Sequence, residues 1–275
     1  MTLTSELTRE ARAGFPSRRG GARAIAGRAR LVRALIDARG RRRLPATAEL
    51  DAALRGTRSE DLAWLCEFSP LAPLYLLPTR PFIQALAREI RAREVTRVLE
   101  VAAGDGFLAR ALKRVAPELD VHATDSGAWS DPRARMTRAE RRSLRDVPGL
   151  ALGEDVEQLD AVRAIRRYRP ELVLCSWLPP GHLLDDFVRA RVQYVLEIGA
   201  GSGVTGSAYS WRFAHEFLEG AIARHARSRL DERPAAQLHS RVTLYFGRDH
   251  AEYHEDPVQR GDWLYQFRPK PKRTR

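Results

Sequence analysis

Hydrophobic positions along the chain change their period near residue 95. Met1–Gly21 is polar and basic and shows no spacing at all. Ala22–Arg43 is expected to be a helix, with Ile25, Leu31, Leu35 and Ile36 apolar among many arginines. Pro45 breaks it, and Thr47–Leu54 begins another helix. Leu62–Leu77 is largely apolar and is interrupted by Pro70 and Pro73. Within Pro81–Arg93, Phe82, Leu86 and Ile90 recur at a spacing of four, the mark of an amphipathic helix. Residues 1–90 therefore read as a helical, Arg-rich extension, and residues 91–275 as a second unit.

In the second unit short apolar runs alternate with helical stretches. Val95–Val101 is a β-branched run ending in a Gly-containing turn, which predicts a buried parallel strand. Gly106–Val115 follows as a helix, and Asp120–Ala123 as a strand that ends at Asp125. Arg133–Asp146 is charged and helical in pattern, and Gly149–Leu152 is a candidate third strand. Leu159–Arg167 and His182–Ala190 are expected helices, with Leu172–Ser176 and Tyr194–Ile198 as strands. Arg212–Arg229 reads as one long helix. Arg241–Phe246 and Trp263–Phe267 are expected to pair as an antiparallel edge. The alternation implies an α/β fold: a doubly wound, mostly parallel seven-stranded sheet with helices on both faces.

Charge and cysteine content narrow the chemistry. The net charge is +12, and the only lysines are Lys113, Lys270 and Lys272. Such a balance draws a protein toward polyanions, while arginines spread along the whole chain are also what a GC-rich coding sequence produces. The short basic tail from Arg268 to Arg275 is either a phosphate contact or a solvated end. Cys66 and Cys175 lie far apart with no Cys/His cluster, which argues against a disulfide framework or a metal site. No stretch approaches the ~20 apolar residues of a membrane span, and Met1–Arg30 lacks the apolar core of a secretory signal. A cytoplasmic location is expected.

The strongest chemical signal is the run from Val98 to Gly106, Val-Leu-Glu-Val-Ala-Ala-Gly-Asp-Gly. An apolar strand ends in Glu100, passes a turn containing Ala102, Ala103, Gly104 and Gly106, and opens a helix. Glycine there allows close approach of a ligand to the backbone, and ligands in doubly wound sheets sit at the carboxyl ends of the strands. The run resembles motif I of the class I S-adenosylmethionine-dependent methyltransferases, E/D-x-G-x-G-x-G, matching at Glu100, Gly104 and Gly106 and departing at Ala102. The NAD-type spacing G-x-G-x-x-G does not occur, because Phe107-Leu108-Ala109 follows Gly106.

The resemblance covers about Thr96–Phe267 and implies S-adenosylmethionine as cofactor. It places Asp125 on the ribose hydroxyls, with Ser126 beside it; a turn or cap aspartate is the alternative. It places Asp155 and Val156 at the adenine, with Glu154 as a rival acid. After the fourth strand, Ser176-Trp177-Leu178-Pro179-Pro180-Gly181-His182 partly resembles the N/D-P-P-Y/F motif of amino-group methyltransferases. Leu178 stands where the amide or acid would be, and leucine accepts no hydrogen bond from a target amine. Ser176 and Trp177 are then expected to line an acceptor pocket, and His182 to serve as general base for a hydroxyl acceptor. The chemistry requires no metal.

A second Gly-rich run contains Glu197, Gly199, Gly201 and Gly203. In a circularly permuted relative it would be the cofactor turn, but too few residues follow it for the remaining strands. A loop over the active site is the expected role, with Thr205 and Ser207 as polar contacts. The acceptor is a small molecule or protein on this reading. The alternatives are a nucleic-acid-binding protein, with or without methyl transfer, and a non-catalytic relative of the fold. The acceptor and the oligomeric state stay open.

Overall fold

The structure, a computed structural model, describes residues 21–39, 41–68, 74–128, 130–131, 151–200, 205–207, 210–228 and 240–257. The chain opens with helices α1 (Gly21–Leu35), α2 (Thr47–Leu54) and α3 (Ser59–Ala63), the last running into a π-helical turn at Trp64–Phe68. Leu31, Leu35, Leu50, Leu62, Leu65 and Leu77 close a core of their own between them. Helix α1 stops at Leu35, not at Arg43 as its periodicity suggested. The Asp37 carboxylate accepts from the N–H groups of Arg39 and Arg41, both at 2.9 Å. Ile36 then bridges to Arg42 in antiparallel fashion. A short carboxylate offering the backbone these bonds competes directly with the helix.

Helix α4 (Arg80–Arg91) begins where Thr79 accepts from Phe82 N and Pro81 fixes the first turn. Its Phe82, Leu86 and Ile90 are fully buried against the sheet, as the spacing of four requires. Beyond it come β1 (Arg97–Val101), α5 (Phe107–Val115), β2 (Asp120–Asp125), β3 (Glu157–Gln158), α6 (Ala161–Tyr168) and β4 (Leu172–Ser176). The remainder is α7 (Leu183–Val188), β5 (Tyr194–Ala200), β6 (His215–Phe217), α8 (Ala221–His225) and β7 (Ser240–Phe246).

The strands form one seven-stranded sheet in the order β3-β2-β1-β4-β5-β7-β6. Strands β1 to β5 are parallel, and β7 runs antiparallel to both β5 and β6. Helices α4, α5 and α8 cover one face, over Val98, Leu172, Leu196 and Leu244. Helices α6 and α7 cover the other, over Leu99, Val173, Val195 and Tyr245. The central strands carry apolar residues on both faces because both faces are covered. From β1 the chain crosses to β2 on one side and later to β4 on the other, so the switch point lies at the end of β1.

Two expected elements are replaced. The third strand described is Glu157–Gln158; of the expected Gly149–Leu152, Ala151 and Leu152 are not in a strand, and Gly149 and Leu150 lie outside the described residues. Ala151–Gly153 instead runs across the Gly-rich turn, where Gly153 N meets Gly104 O at 3.4 Å. The long helix expected over Arg212–Arg229 is three pieces: a 3-10 turn at Ser210–Arg212, strand β6 and helix α8. The open edge of β7 takes His215 and Phe217 into the ladder, and Gly220, at φ 73°, starts α8 afresh. Tertiary pairing thus overrides a helical pattern. The segments Arg133–Asp146 and Trp263–Phe267 lie outside the described residues; the partner of β7 at the sheet edge is β6.

Arg28 is buried and bonds Asp61 at 2.7 Å, with its guanidinium over the Trp64 ring. Breaking a buried pair strands a charge at a cost of about 3–5 kcal/mol. Asp61→Ala is therefore expected to lower unfolding stability in urea by that order, while the joint replacement Arg28→Met with Asp61→Leu recovers most of it. Equal stability of Asp61→Ala and the wild type would show that the pair holds nothing.

Candidate active site

The turn after β1 is held in the left-handed conformation three times: Ala102 at φ 51°, Gly104 at 58° and Gly106 at 68°. Only glycine visits this region without strain. Two neighbours close on the turn. A Cβ on Gly106 would lie 2.5 Å from Val156 Cγ2, and one on Gly153 would lie 2.2 Å from Asp105 O. The loop before β3 is thus packed directly on the Gly-rich turn, which puts Val156 beside Gly106. Glu154 and Asp155 in the same loop are exposed.

Asp125, at the end of β2, is buried. Its Oδ2 accepts from Gly104 N at 3.1 Å and its Oδ1 from Gly127 N at 2.8 Å. The carboxylate therefore ties the β1 turn to the β2 turn, and Ser126 Oγ caps the latter by accepting from Ala128 N. An ionised carboxylate has about four acceptor sites, so two backbone bonds leave one lone pair on each oxygen.

Glu100 points into the core under α5, where its Oε2 accepts from Ala109 N at 2.8 Å. Burial pushes its carboxyl up to about 8. Glu197, midway along β5, faces the opposite side of the sheet with Thr205 Oγ1 at 3.3 Å and the Tyr245 hydroxyl at 3.5 Å, and burial raises it to about 7. The second Gly-rich run closes on this acid: a Cβ on Gly206 would lie 2.8 Å from Glu197 Oε1, and one on Gly199 would lie 3.1 Å from it.

At the end of β4, Ser176 is half-buried and Trp177 adopts φ 54°, strained for a bulky residue. The indole stacks on Tyr75 from the N-terminal region, with centroids 5.7 Å apart and planes at 22°. Among the described residues nothing bonds the buried Trp177 Nε1, nor the buried hydroxyl of Thr124 at the end of β2. His182 lies at the start of α7, exposed, with Nδ1 3.7 Å from the buried Asp185. Asp185 also takes the Ser210 hydroxyl at 2.7 Å and Arg212 at 3.3 Å.

The structure thus brings Glu100, Ala102, Ala103, Gly104, Gly106, Asp125, Ser126 and Val156 around one turn, with Ser176 and Trp177 at the end of the adjacent strand β4. Sequence reasoning missed Arg42, Tyr75 and Arg110. Arg42 bonds Asp105 at 2.6 Å and lies 4.0 Å over the Phe107 ring. Arg110 holds Asp105 O at 2.6 Å. Arg42 is one of many arginines in its stretch, and nothing local singled it out. Among the described residues no group of three or more His, Cys, Asp or Glu is placed to hold a metal ion, and no helix is long and apolar enough to cross a membrane.

Both acids take up protons on folding, since their carboxyls rise from 4.5 to about 8 and about 7. The stability this adds is complete below pH 4.5 and is lost as pH rises through 7 and 8. The expected slope is at most about 1.4 kcal/mol per pH unit for each acid. Denaturation midpoints measured from pH 5 to 8.5 should fall, and Glu100→Gln should flatten the upper part; an unchanged profile would refute the assignment. Ala102→Gly should raise stability by roughly 1 kcal/mol, since left-handed strain of about 1–2 kcal/mol exceeds the added entropy of the unfolded chain. A lower midpoint would show that the turn is not strained there.

No protein-family model matches the chain, and no curated protein matches it. Solved structures do. The methyltransferase domain of bacterial-CtHen1-CN is 10% identical, with 61% of this chain and 98% of that one covered, at a TM-score of 0.38. A putative caffeoyl-CoA O-methyltransferase from Staphylococcus aureus is 9% identical over 60% of this chain and 82% of its own, at 0.33. Human N-acetylserotonin methyltransferase in complex with SAM is 10% identical over 61% and 55%, at 0.31. The strand order itself, with its switch point beside β1 and its one antiparallel strand, gives this chain the doubly wound, Rossmann-like α/β fold that the methyltransferase resemblance implies.

Proposed function

We propose that the chain transfers a methyl group from S-adenosylmethionine to an acceptor held at the end of β4. The observation that carries this reading is the left-handed turn Ala102–Gly106 at the switch point, tied to Asp125 at the end of β2. An acid with a free lone pair on each oxygen is the acceptor that a ribose diol needs. Val156 supplies an apolar surface beside the turn, as an adenine ring requires, and Asp155 an exposed acid next to it. The orphaned Trp177 indole N–H and Thr124 hydroxyl, at the ends of β4 and β2, are polar groups that a ligand at this edge would satisfy.

When bound, the cofactor supplies a sulfonium-activated methyl group. The protein's task is then to align the acceptor and exclude water. Ser176 and the Trp177–Tyr75 stack form the acceptor side, so residues of the N-terminal helical unit share in it. His182, exposed at the start of α7, suits the removal of a proton from a hydroxyl acceptor. The preferred acceptor is a small molecule or protein, and the division into residues 1–90 and 91–275 separates acceptor-side cover from cofactor domain.

Calorimetry with S-adenosylmethionine tests the reading. The wild type is expected to bind at micromolar concentration, and Asp125→Ala to weaken binding tenfold or more, about 1.4 kcal/mol. No binding by the wild type overturns the proposal. Binding indifferent to Asp125 and lost in Glu197→Ala would move the cofactor to the second Gly-rich run.

A further inference from the structure

Three aromatic residues close in sequence and an arginine from a neighbouring strand gather at one rim of the sheet. Trp211 follows the second Gly-rich run, and His215 and Phe217 lie on the edge strand β6. Trp211 and Phe217 are 40% and 44% exposed, in a chain whose other large apolar side chains are mostly buried. Their rings lie 5.3 Å apart, and His215 meets each ring edge-on or nearly so. The guanidinium of Arg241, from β7, sits 5.1 Å from the Trp211 ring and 5.4 Å from the Phe217 ring.

The chemistry of this cluster is specific. Arg241 pairs with no carboxylate among the described residues, so its charge is available to an anion. Glu216, the acid between the two ring-bearing positions of β6, points to the other face and is held there by Arg93. The rings do not belong to a wide apolar patch of the kind a protein partner would cover. Their neighbours Arg212, Glu216 and Glu219 are charged, and Leu218 is buried. Exposed flat rings beside a guanidinium that has no carboxylate partner among the described residues, on a chain of net charge +12, form a stacking platform for bases with a contact for their phosphates.

Position strengthens the case. In the β5–β7 ladder Arg241 is the partner of Gly199, at the carboxyl end of β5. Arg241 therefore lies at the carboxyl edge of the sheet, while His215 and Phe217 lie farther along β7, opposite Tyr245 and Thr243. We propose that Trp211, His215, Phe217 and Arg241 form a binding surface for single-stranded nucleic acid. The proposal concerns binding and stands whether or not the chain transfers methyl groups.

Fluorescence anisotropy with labelled oligouridylate and oligothymidylate, at about 50 mM salt and upward, tests it. The wild type should bind one or both single strands, and more tightly than a duplex of equal length. Joint Trp211→Ala and Phe217→Ala should weaken binding at least tenfold, since each stacked base contributes about 1–3 kcal/mol, with the salt slope unchanged. Arg241→Gln should reduce that slope by about 0.7 for one lost phosphate contact. Phe217→Leu keeps the bulk and loses the ring, and circular dichroism confirms folding of each variant. No single-strand binding at low salt, a ring-independent affinity, or equal affinity for duplex would each overturn the proposal. A preference between the two single strands would show which polynucleotide the surface favours.

Discussion

The bond from Gly104 N to the Asp125 carboxylate is the constraint around which the candidate site is arranged. It joins the turn after β1 to the turn after β2, whose Gly127 N occupies the other oxygen. The β1 turn is left-handed at three positions and has no room for a side chain at Gly106. The loop before β3 has none at Gly153, because Asp105 O lies against it. Three loops are therefore packed on one another at the carboxyl edge of a parallel sheet, through the Asp125 carboxylate, the Val156 side chain against Gly106 and the Asp105 carbonyl against Gly153. That packing is possible only with glycine at the contacts, and it explains why the loop before β3 is no strand: its backbone is committed to the turn.

The N-terminal helices are fastened to the sheet. Arg42 reaches Asp105 within the turn, and Tyr75 stacks on Trp177 at the end of β4. Arg227 adds a further tie, bonding Asp51 at 2.7 Å. Of the four described non-glycine residues at positive φ, Ala102 and Trp177 lie at the carboxyl edge, and Glu94 and Arg169 lie before β1 and β4 at the opposite one. Residues persist in such conformations only where surrounding packing over-determines them.

The electrostatics follow from burial. Glu100, late in β1, and Glu197, midway along β5, are buried on opposite faces of the sheet, and neither has an ion-pair partner among the described residues. The cost of burying charge raises both, so the core gains a proton instead of an ion pair. Arginine, abundant in the chain, is spent elsewhere: on Asp61, Asp105, Glu171 and Glu255 in ion pairs, and on the rings of Phe107, Trp211 and Phe217.

Much of this was legible in the chain itself. The alternation of short apolar runs with helical stretches determines a doubly wound sheet, because a strand buried on both faces must be apolar throughout. The acid–glycine spacing at Glu100–Gly106 and the acid at Asp125 mark the switch-point edge for the same local reason: backbone conformation there excludes other residues. What only the tertiary structure decided is non-local. The Arg212–Arg229 stretch has a helical pattern, yet it yields a strand at His215–Phe217 because β7 presents an open edge whose N–H and C=O groups need partners. Arg42 looks like any other arginine until the fold brings it 2.6 Å from Asp105. Trp211, Phe217 and Arg241 likewise become one surface only when β6 and β7 pair. Pattern along a chain encodes burial and backbone freedom, which are properties of single positions; a contact is a property of two, and the fold chooses the second.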